Sequence, residues 1–592
     1  MSRLRLCTAA LALLLVTACS GIPDSGPIVT VDASDQPTPV SPGRVDPAPP
    51  APGSTPAQVV RDFMAAMEAF PVSTDVAREF LTEAAAETWD PSRGTVVYES
   101  ADFGEAPGGR VNMQVVERAR IGSRGTFTPQ PAGSQQRTFE WQLRRQGGEW
   151  RIANPSNLLY VGAAYFEDYY SSYNLYFLDP SQTIVVAEPA YFPSGDQLAT
   201  NLVRALLAGP SSTSAAHVRT AIPSSERLDV PIPVRDDGLA EVRLTGPEEE
   251  LTELQAELVS VQVVTTLRQV PGLLGVRIVV NGTPLEIGGN DVQEVASWGY
   301  YDPAANRIEG RLFALARGGL QTVEGLSVAP FVAPVGPGRQ SLSYLHVQET
   351  TDRLLGVSQD RQRLLSGPID PADGPLRPVE VTGADFGRPT EDRGGGLVVP
   401  DRAPDGSTLV VVENLGVAEA RRVLATSLSA LRVERFAISP DGMRFLAVVT
   451  PAASSTGVKF ARLMIGWVDR DPDGRISGVS DTRSLTVPGE QLSAVRDAGW
   501  IGQGGIALIG RFAESPYAVY TVNIDGSRLS GGQVSGEPLP EELAPVWLAT
   551  DGLERTPVYA AGRDGRLWLQ DEDGEWRAVT GLEAVRSATF AD

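Results

Sequence analysis

Apolar residues keep three different rhythms along this chain of 592 residues. Between Ala57 and Trp89 they recur every three or four positions. Val59, Phe63, Met67 and Phe70 share one helical face, and a second helix is predicted through Val76, Phe80 and Leu81 towards Trp89. The period then shortens to two. Val111–Val115, Thr126–Thr128 and Thr138–Leu143 alternate as strands, and Gly147-Gly148 turns the last of these into Glu149–Ile152. Helices followed by an antiparallel sheet predict an α+β cone over 57–170.

Residues 171–289 mix the two periods. Strands are predicted at Ser172–Leu178 and Thr183–Ala187. A helix from Gln197 to Leu207, buried through Leu198, Leu202 and Leu206, stops at Gly209-Pro210. A strand at Gly238–Leu244 follows an Asp-Gly turn. Leu251, Leu254, Leu258 and Val261 then set one apolar stripe on a second helix running towards Leu267. Pro271-Gly272 breaks that helix, and Val276–Val280 with Asn281-Gly282 supplies a last strand and turn. The order β-β-α-β-α-β predicts an α/β module: an open sheet with both helices on one face.

From 290 to 592 helical periodicity is almost absent. Short strands recur at Ser341–Val347, Thr408–Val412, Phe436–Ile438, Arg444–Val449, Ile506–Ile509, Ala518–Val522 and Arg566–Leu569. Asp-Gly turns fall at 405, 441, 473, 525, 564 and 573. Ser439-Pro-Asp-Gly442 before an apolar strand is typical of a propeller blade, closing a hairpin near the blade edge. At about 40–45 residues per blade the region holds about six or seven. A pair of stacked β-sandwiches is the competing architecture.

The first residues are a targeting signal. Arg3 and Arg5 precede an apolar run, Leu6 to Val16, too short to span a bilayer. Val16-Thr17-Ala18-Cys19 has the layout of a bacterial lipobox, in which Cys19 is lipidated and residues 1–18 are removed. An ordinary secretory signal with a chance cysteine is the alternative. Cys7 would leave with the signal, so the mature chain has no internal disulfide. Two acyl chains hold a protein at a membrane far better than one. After Cys19, ten prolines fall between Ser20 and Pro56, a composition without the apolar content for a core. This stretch, 19–56 with the cysteine, is a spacer that could reach roughly 100 Å where extended.

Charge narrows the function. The net charge is -23, and loss of Arg3 and Arg5 makes it more negative still, which disfavours nucleic acid and anionic headgroups as partners. Basic charge is nearly all arginine; Lys459 is the single lysine. Two histidines, His217 and His346, have no HExxH or cysteine companions, which argues against triads and zinc sites while leaving a carboxylate-only enzyme open. Each is expected to be structural or at the surface. No phosphate loop, GxSxG or CxxC is present, so no catalytic residue and no cofactor is predicted.

Asp469, Asp471 and Asp473 before Gly474 match the first half of a calcium loop. The position for a bidentate glutamate is Ser480, however, so a polar inter-strand turn is the stronger reading. Asp236-Asp237 and Asp571-Glu572-Asp573 are expected to be solvated turns. Five tyrosines between Tyr165 and Tyr176 point to an interdomain core, with a partner-binding patch as the alternative.

Several segments carry a family resemblance. The N-terminal pattern resembles nuclear-transport-factor-like lipoprotein domains. Ala187-Glu-Pro189, Leu202–Pro210, Ala221-Ile-Pro223 and Thr266–Gly282 resemble a GerMN domain. With a lipobox before it and a β-propeller-like region after it, the whole chain resembles the actinobacterial lipoprotein LpqB family. That resemblance implies a non-enzymatic protein on the extracytoplasmic face of the cell membrane, anchored by a diacylglycerol and an N-acyl chain on Cys19. It further implies contact with the extracytoplasmic domain of the sensor kinase MtrB of the MtrAB two-component system, and so a part in cell-wall homeostasis and cell division. A small-ligand or glycan sensor, with the propeller channel or the N-terminal cone as its pocket, is the alternative.

Overall fold

The computed structural model describes residues 43–591 apart from 132, 134–135, 225, 247–250, 304–309, 318, 337–338, 417–418, 452–460, 489–490, 514, 528–542, 554–556 and 572–573. The predicted signal peptide, Cys19, the spacer up to Pro42, Lys459, Glu572 and Asp573 lie outside the described residues. Arg44–Asp592 form one compact unit. Near its start Val45 pairs with Phe70 through two backbone hydrogen bonds of 2.9 and 3.0 Å.

The N-terminal module opens with the helix Pro56–Ala66. Thr55 caps it, and Pro56 occupies the first turn, where no amide donor is needed. The single second helix expected from the sequence is two short ones, Asp75–Glu79 and Glu83–Thr88. Between them Phe80 and Thr82 exchange backbone hydrogen bonds with Ile152. Pairing with the sheet therefore competes with the helix and interrupts it. The sheet runs in the order Glu149–Ile152, Arg137–Gln146, Arg110–Gly122, Gly94–Ala106, Leu159–Gly162. Phe63, Phe80, Trp89, Trp141 and Tyr160 fill the space between helices and sheet. Phe63 meets Trp89 and Trp141 at 5.4 and 5.7 Å between ring centres, within the range of favourable aromatic pairs.

The middle module departs from the single open sheet. Tyr170–Leu178 and Val185–Pro193 form a separate two-stranded ribbon. A second sheet holds Leu239–Thr245 and Gly275–Val280 in parallel. The helix Glu253–Leu267 crosses between those two strands and packs against the ribbon, the helix Leu198–Leu207 and Gly275–Val280. Leu258 to Leu267 are all buried, whereas Leu254 is 58% exposed. The helix thus has no single stripe. It lies between two layers, and a helix enclosed on all sides must be apolar or internally bonded all round. Its buried Gln262 and Thr266 bond the backbone of Tyr176 at 3.1 Å each.

The last module is a six-bladed β-propeller. Blade 1 consists of Leu312–Ala316, Gly319–Glu324 and Ser327–Pro330, completed on the inside by the last strand of the chain, Ser587–Phe590. Blades 2 to 6 start on the inner strands Leu342–Gln348, Thr390–Glu391, Leu431–Ile438, Leu492–Ile501 and Pro545–Ala549. Blade 5 has three strands among the described residues and the other blades have four. Each neighbouring pair of blades shares its own apolar cluster, and the clusters run round the ring from blades 1 and 2 to blades 6 and 1. Two stacked sandwiches would not produce that cyclic arrangement. Ser439–Gly442 joins the inner strand of blade 4 to its neighbour rather than closing a hairpin at the blade edge.

Candidate functional site

Two sites emerge: the seam that joins the modules and the channel on the propeller axis. At the seam, Tyr191 of the ribbon belongs to all three modules. Its ring lies 5.2 Å from Phe127 of the N-terminal module and 5.5 Å from Phe166. Its hydroxyl donates to Ser527 of the propeller and accepts from Asn523 at 3.2 Å. Burial pushes this phenol up to about 12, so it keeps its proton and stays a donor. The tyrosine-rich window is interdomain core here: Tyr165 and Tyr170 are buried in the same cluster, and Tyr176 in the core of the middle module.

Polar bonds continue along this seam. Asp302, between the middle module and the propeller, accepts from Arg268 at 2.6 Å and from Gln503 of blade 5 at 2.8 Å. Arg444 of blade 4 donates to the Ala187 carbonyl. The Trp467 indole donates to the Thr213 carbonyl at 3.1 Å, and His217 stacks on its ring. The His217 Nε2 is 2.7 Å from Asp481. Met443 and Trp467 extend the apolar core of the middle module into the propeller.

The channel pocket, of about 450 Å³, is lined by inner-strand residues from blades 1 to 6 and by Pro303 from the segment before the propeller. His346 sits in its wall, with Nε2 2.5 Å from Glu391 and Nδ1 3.1 Å from Thr589. Gln348 donates to the other oxygen of Glu391 at 2.6 Å. Arg388 and Arg435 line the same pocket and share Asp497, to which Arg388 donates at 3.0 Å. Periodicity could not single these residues out, because they converge from blades far apart in sequence.

The other residues marked in the sequence have ordinary structural partners. Asp469 accepts from Ser480 at 2.6 Å, while Asp471 accepts the backbone amides of Asp473 and Arg475 at 3.0 and 2.9 Å. The loop is thus the turn of a hairpin between Arg462–Arg470 and Ile476–Ser484. Among the described residues no group of three or more His, Cys, Asp or Glu is placed to hold a metal ion. Asp236 and Asp237 are exposed, and Asp571 accepts from the Glu575 amide at 2.9 Å. Among the described residues no helix is long and apolar enough to cross a membrane.

Comparison with known proteins matches three family models in the order of the three modules. Residues 49–167 match the N-terminal domain of lipoprotein LpqB, 174–286 the "Sporulation and spore germination" (Germane) model, and 318–589 the LpqB β-propeller domain. The chain belongs to the LpqB lipoprotein family. Among LpqB relatives, that of Cutibacterium acnes is 25% identical over 97% of this chain and 97% of its own. That of Rhodococcus opacus is 27% identical over 98% of this chain and 96% of its own. Of solved structures, TolB from Acinetobacter baumannii covers 48% of this chain and 66% of its own, with 16% identity and a TM-score of 0.34. A periplasmic gluconolactonase from Pseudomonas aeruginosa covers 48% and 99%, with 16% identity and a TM-score of 0.31. The LpqB family is one of lipoproteins with a propeller domain.

Proposed function

We propose that this LpqB-family chain is held on the extracytoplasmic face of the cell membrane by acyl chains on Cys19 and works by binding rather than catalysis. Its partner is the extracytoplasmic domain of the sensor kinase MtrB. Through that contact it modulates the MtrAB two-component system, and with it cell-wall homeostasis and cell division. One observation carries the binding reading: buried polar side chains join the three modules into one body, with Tyr191 bonded or packed against all of them. Such a body presents surfaces in fixed relation to one another, as a recognition protein requires. The tether adds effective concentration, so a weak intrinsic affinity suffices.

The test is a crosslinked pull-down from intact cells carrying tagged full-length protein. MtrB should be recovered from wild-type cells and lost when Cys19 is replaced by Ala at equal expression. Recovery of no kinase, together with turnover of wall polymer by the purified chain, would replace the binding reading with an enzymatic one.

A further inference from the structure

Seven large apolar side chains are exposed among the described residues, and Tyr300 is the aromatic one. It is also held in place. It belongs to the short helical turn Gly299–Tyr301, and its neighbours Trp298 and Tyr301, each 7% exposed, sit in the core of the middle module. The Tyr300 ring lies 4.6 Å from that of Tyr301 and 6.0 Å from that of Trp298. Its hydroxyl donates to Glu257 Oε1 at 2.6 Å, and the Tyr301 hydroxyl donates to the same oxygen at 3.1 Å. Tyr300 is thus 59% exposed while its ring is backed by other rings and its hydroxyl is tied to a helix. An aromatic fixed in this way loses little conformational entropy when a partner covers it.

Glu257 brings a second exposed side chain beside the ring. It lies on the helix Glu253–Leu267, three residues after Leu254. Residues three apart share a helix face, and side chains lean towards the helix N-terminus. The Glu257 carboxylate and the phenol bonded to it therefore lie over the turn that carries Leu254, which is 58% exposed. Ring and leucine flank a carboxylate whose two phenol bonds both fall on Oε1. Exposed Glu253 adds a second negative charge beside Leu254, in a chain whose net charge is -23. The surface that complements this one is apolar at its centre and basic beside it.

We propose that Tyr300, Leu254 and Glu257 form the docking surface for a protein partner that presents an apolar side chain next to an arginine or lysine. The apolar group packs between the ring and the leucine, and the cation meets the Glu257 carboxylate. A fixed aromatic anchor with an apolar neighbour that excludes water is the arrangement in which interface energy concentrates. A sugar would stack on the ring and leave the leucine unused. The inference rests on the proposed kinase contact and names the surface of this chain that makes it.

The experiment is isothermal titration of the full chain in non-ionic detergent with the purified extracytoplasmic domain of MtrB. Tyr300→Ala should weaken binding at least tenfold. Leu254→Arg changes an exposed helix position, so the fold is kept, and it sets a cation against the partner's; it should weaken binding to the same degree. Glu257→Gln keeps an acceptor for both phenols but removes the charge, and should flatten the dependence of binding on salt. Leu424→Ser, at a side chain of the propeller that is 73% exposed, should change binding less than twofold. If the wild type binds and a folded Tyr300 or Leu254 variant binds as tightly, this surface is wrong and the kinase reading stands. If the wild type does not bind, the kinase reading falls and the surface falls with it. Binding of chitotetraose that Tyr300→Ala abolishes, with kinase binding unchanged, overturns the proposal in favour of a glycan site.

Discussion

The imidazole of His217 lies flat on the indole of Trp467, with ring centres 4.6 Å apart and planes within 7°. One residue comes from the middle module and the other from blade 4 of the propeller. The same indole bonds the Thr213 carbonyl, and the Arg444 guanidinium sits 4.7 Å from its ring. This side chain joins a ring stack, a hydrogen bond and a cation–π contact at the seam between the two modules.

Trp467→Ala should therefore cost about 3–5 kcal/mol, the range for truncating a large buried aromatic. Because the loss falls on a seam, calorimetry should show the propeller melting apart from the N-terminal half. A single transition at the wild-type temperature would contradict this.

Tyr191→Phe keeps the aromatic packing and removes only the hydroxyl. Ser527 and Asn523 then lose a buried partner, at a cost of about 1–3 kcal/mol. Urea unfolding measures the change. Combining it with Ser527→Ala should cost less than the sum of the two, since both remove the same bond.

One carboxylate oxygen of Asp525 is buried without a hydrogen-bond partner, and desolvation raises the carboxyl above its usual value. A group raised in the folded state contributes stability in full below its unfolded value, near 3.9. That contribution is lost as pH rises through the folded value. Asp525→Asn keeps the acceptor for the Ser527 amide and hydroxyl without the desolvated charge. Its melting temperature should exceed that of the wild type at pH 8, with the gap closing towards pH 4. A gap that is constant with pH would show that Asp525 does not titrate in this way.

Deleting 587–592 removes the inner strand of blade 1, which pairs with Leu312–Ala316 from Leu312↔Phe590 to Leu315↔Ser587. The ring would open and leave an unpaired edge. Size-exclusion chromatography should show aggregation, and the melt should lose its sharpness. A monomeric protein with native melting would mean that the last strand is dispensable.

Cys19→Ala should shift the protein from the membrane fraction to the medium or leave it unprocessed. Fractionation and the mass of the N-terminus check this. Tight membrane retention of a correctly processed variant would remove the anchor from the account.

The modular plan was legible wherever one face of an element is buried and the other solvated. Val59, Phe63 and Met67 mark the first helix in that way, and the alternation at Val111–Val115 marks a strand whose inward residues are buried. Legibility failed where burial is not one-sided. The helix Glu253–Leu267 lies between two layers, so the stripe through Leu254 misplaced its inner face. The interruption at Phe80–Thr82 depends on Ile152, a strand residue far along the chain. Tyr165 and Tyr170 stood out by composition alone, but which surfaces they join was set by Phe127, Phe166 and Tyr191.

By itself the sequence determined which stretches fold as which class of element, the order of the three modules, the acidic surface and the cysteine suited to an anchor. These follow from period, composition and short motifs, which act locally. Only the tertiary structure decided the number of blades, the closure of the ring by the final strand and the meeting of Arg388, Arg435 and Asp497 in the channel. Those depend on hydrogen bonds and charges brought together across long separations, where no periodic pattern links the partners.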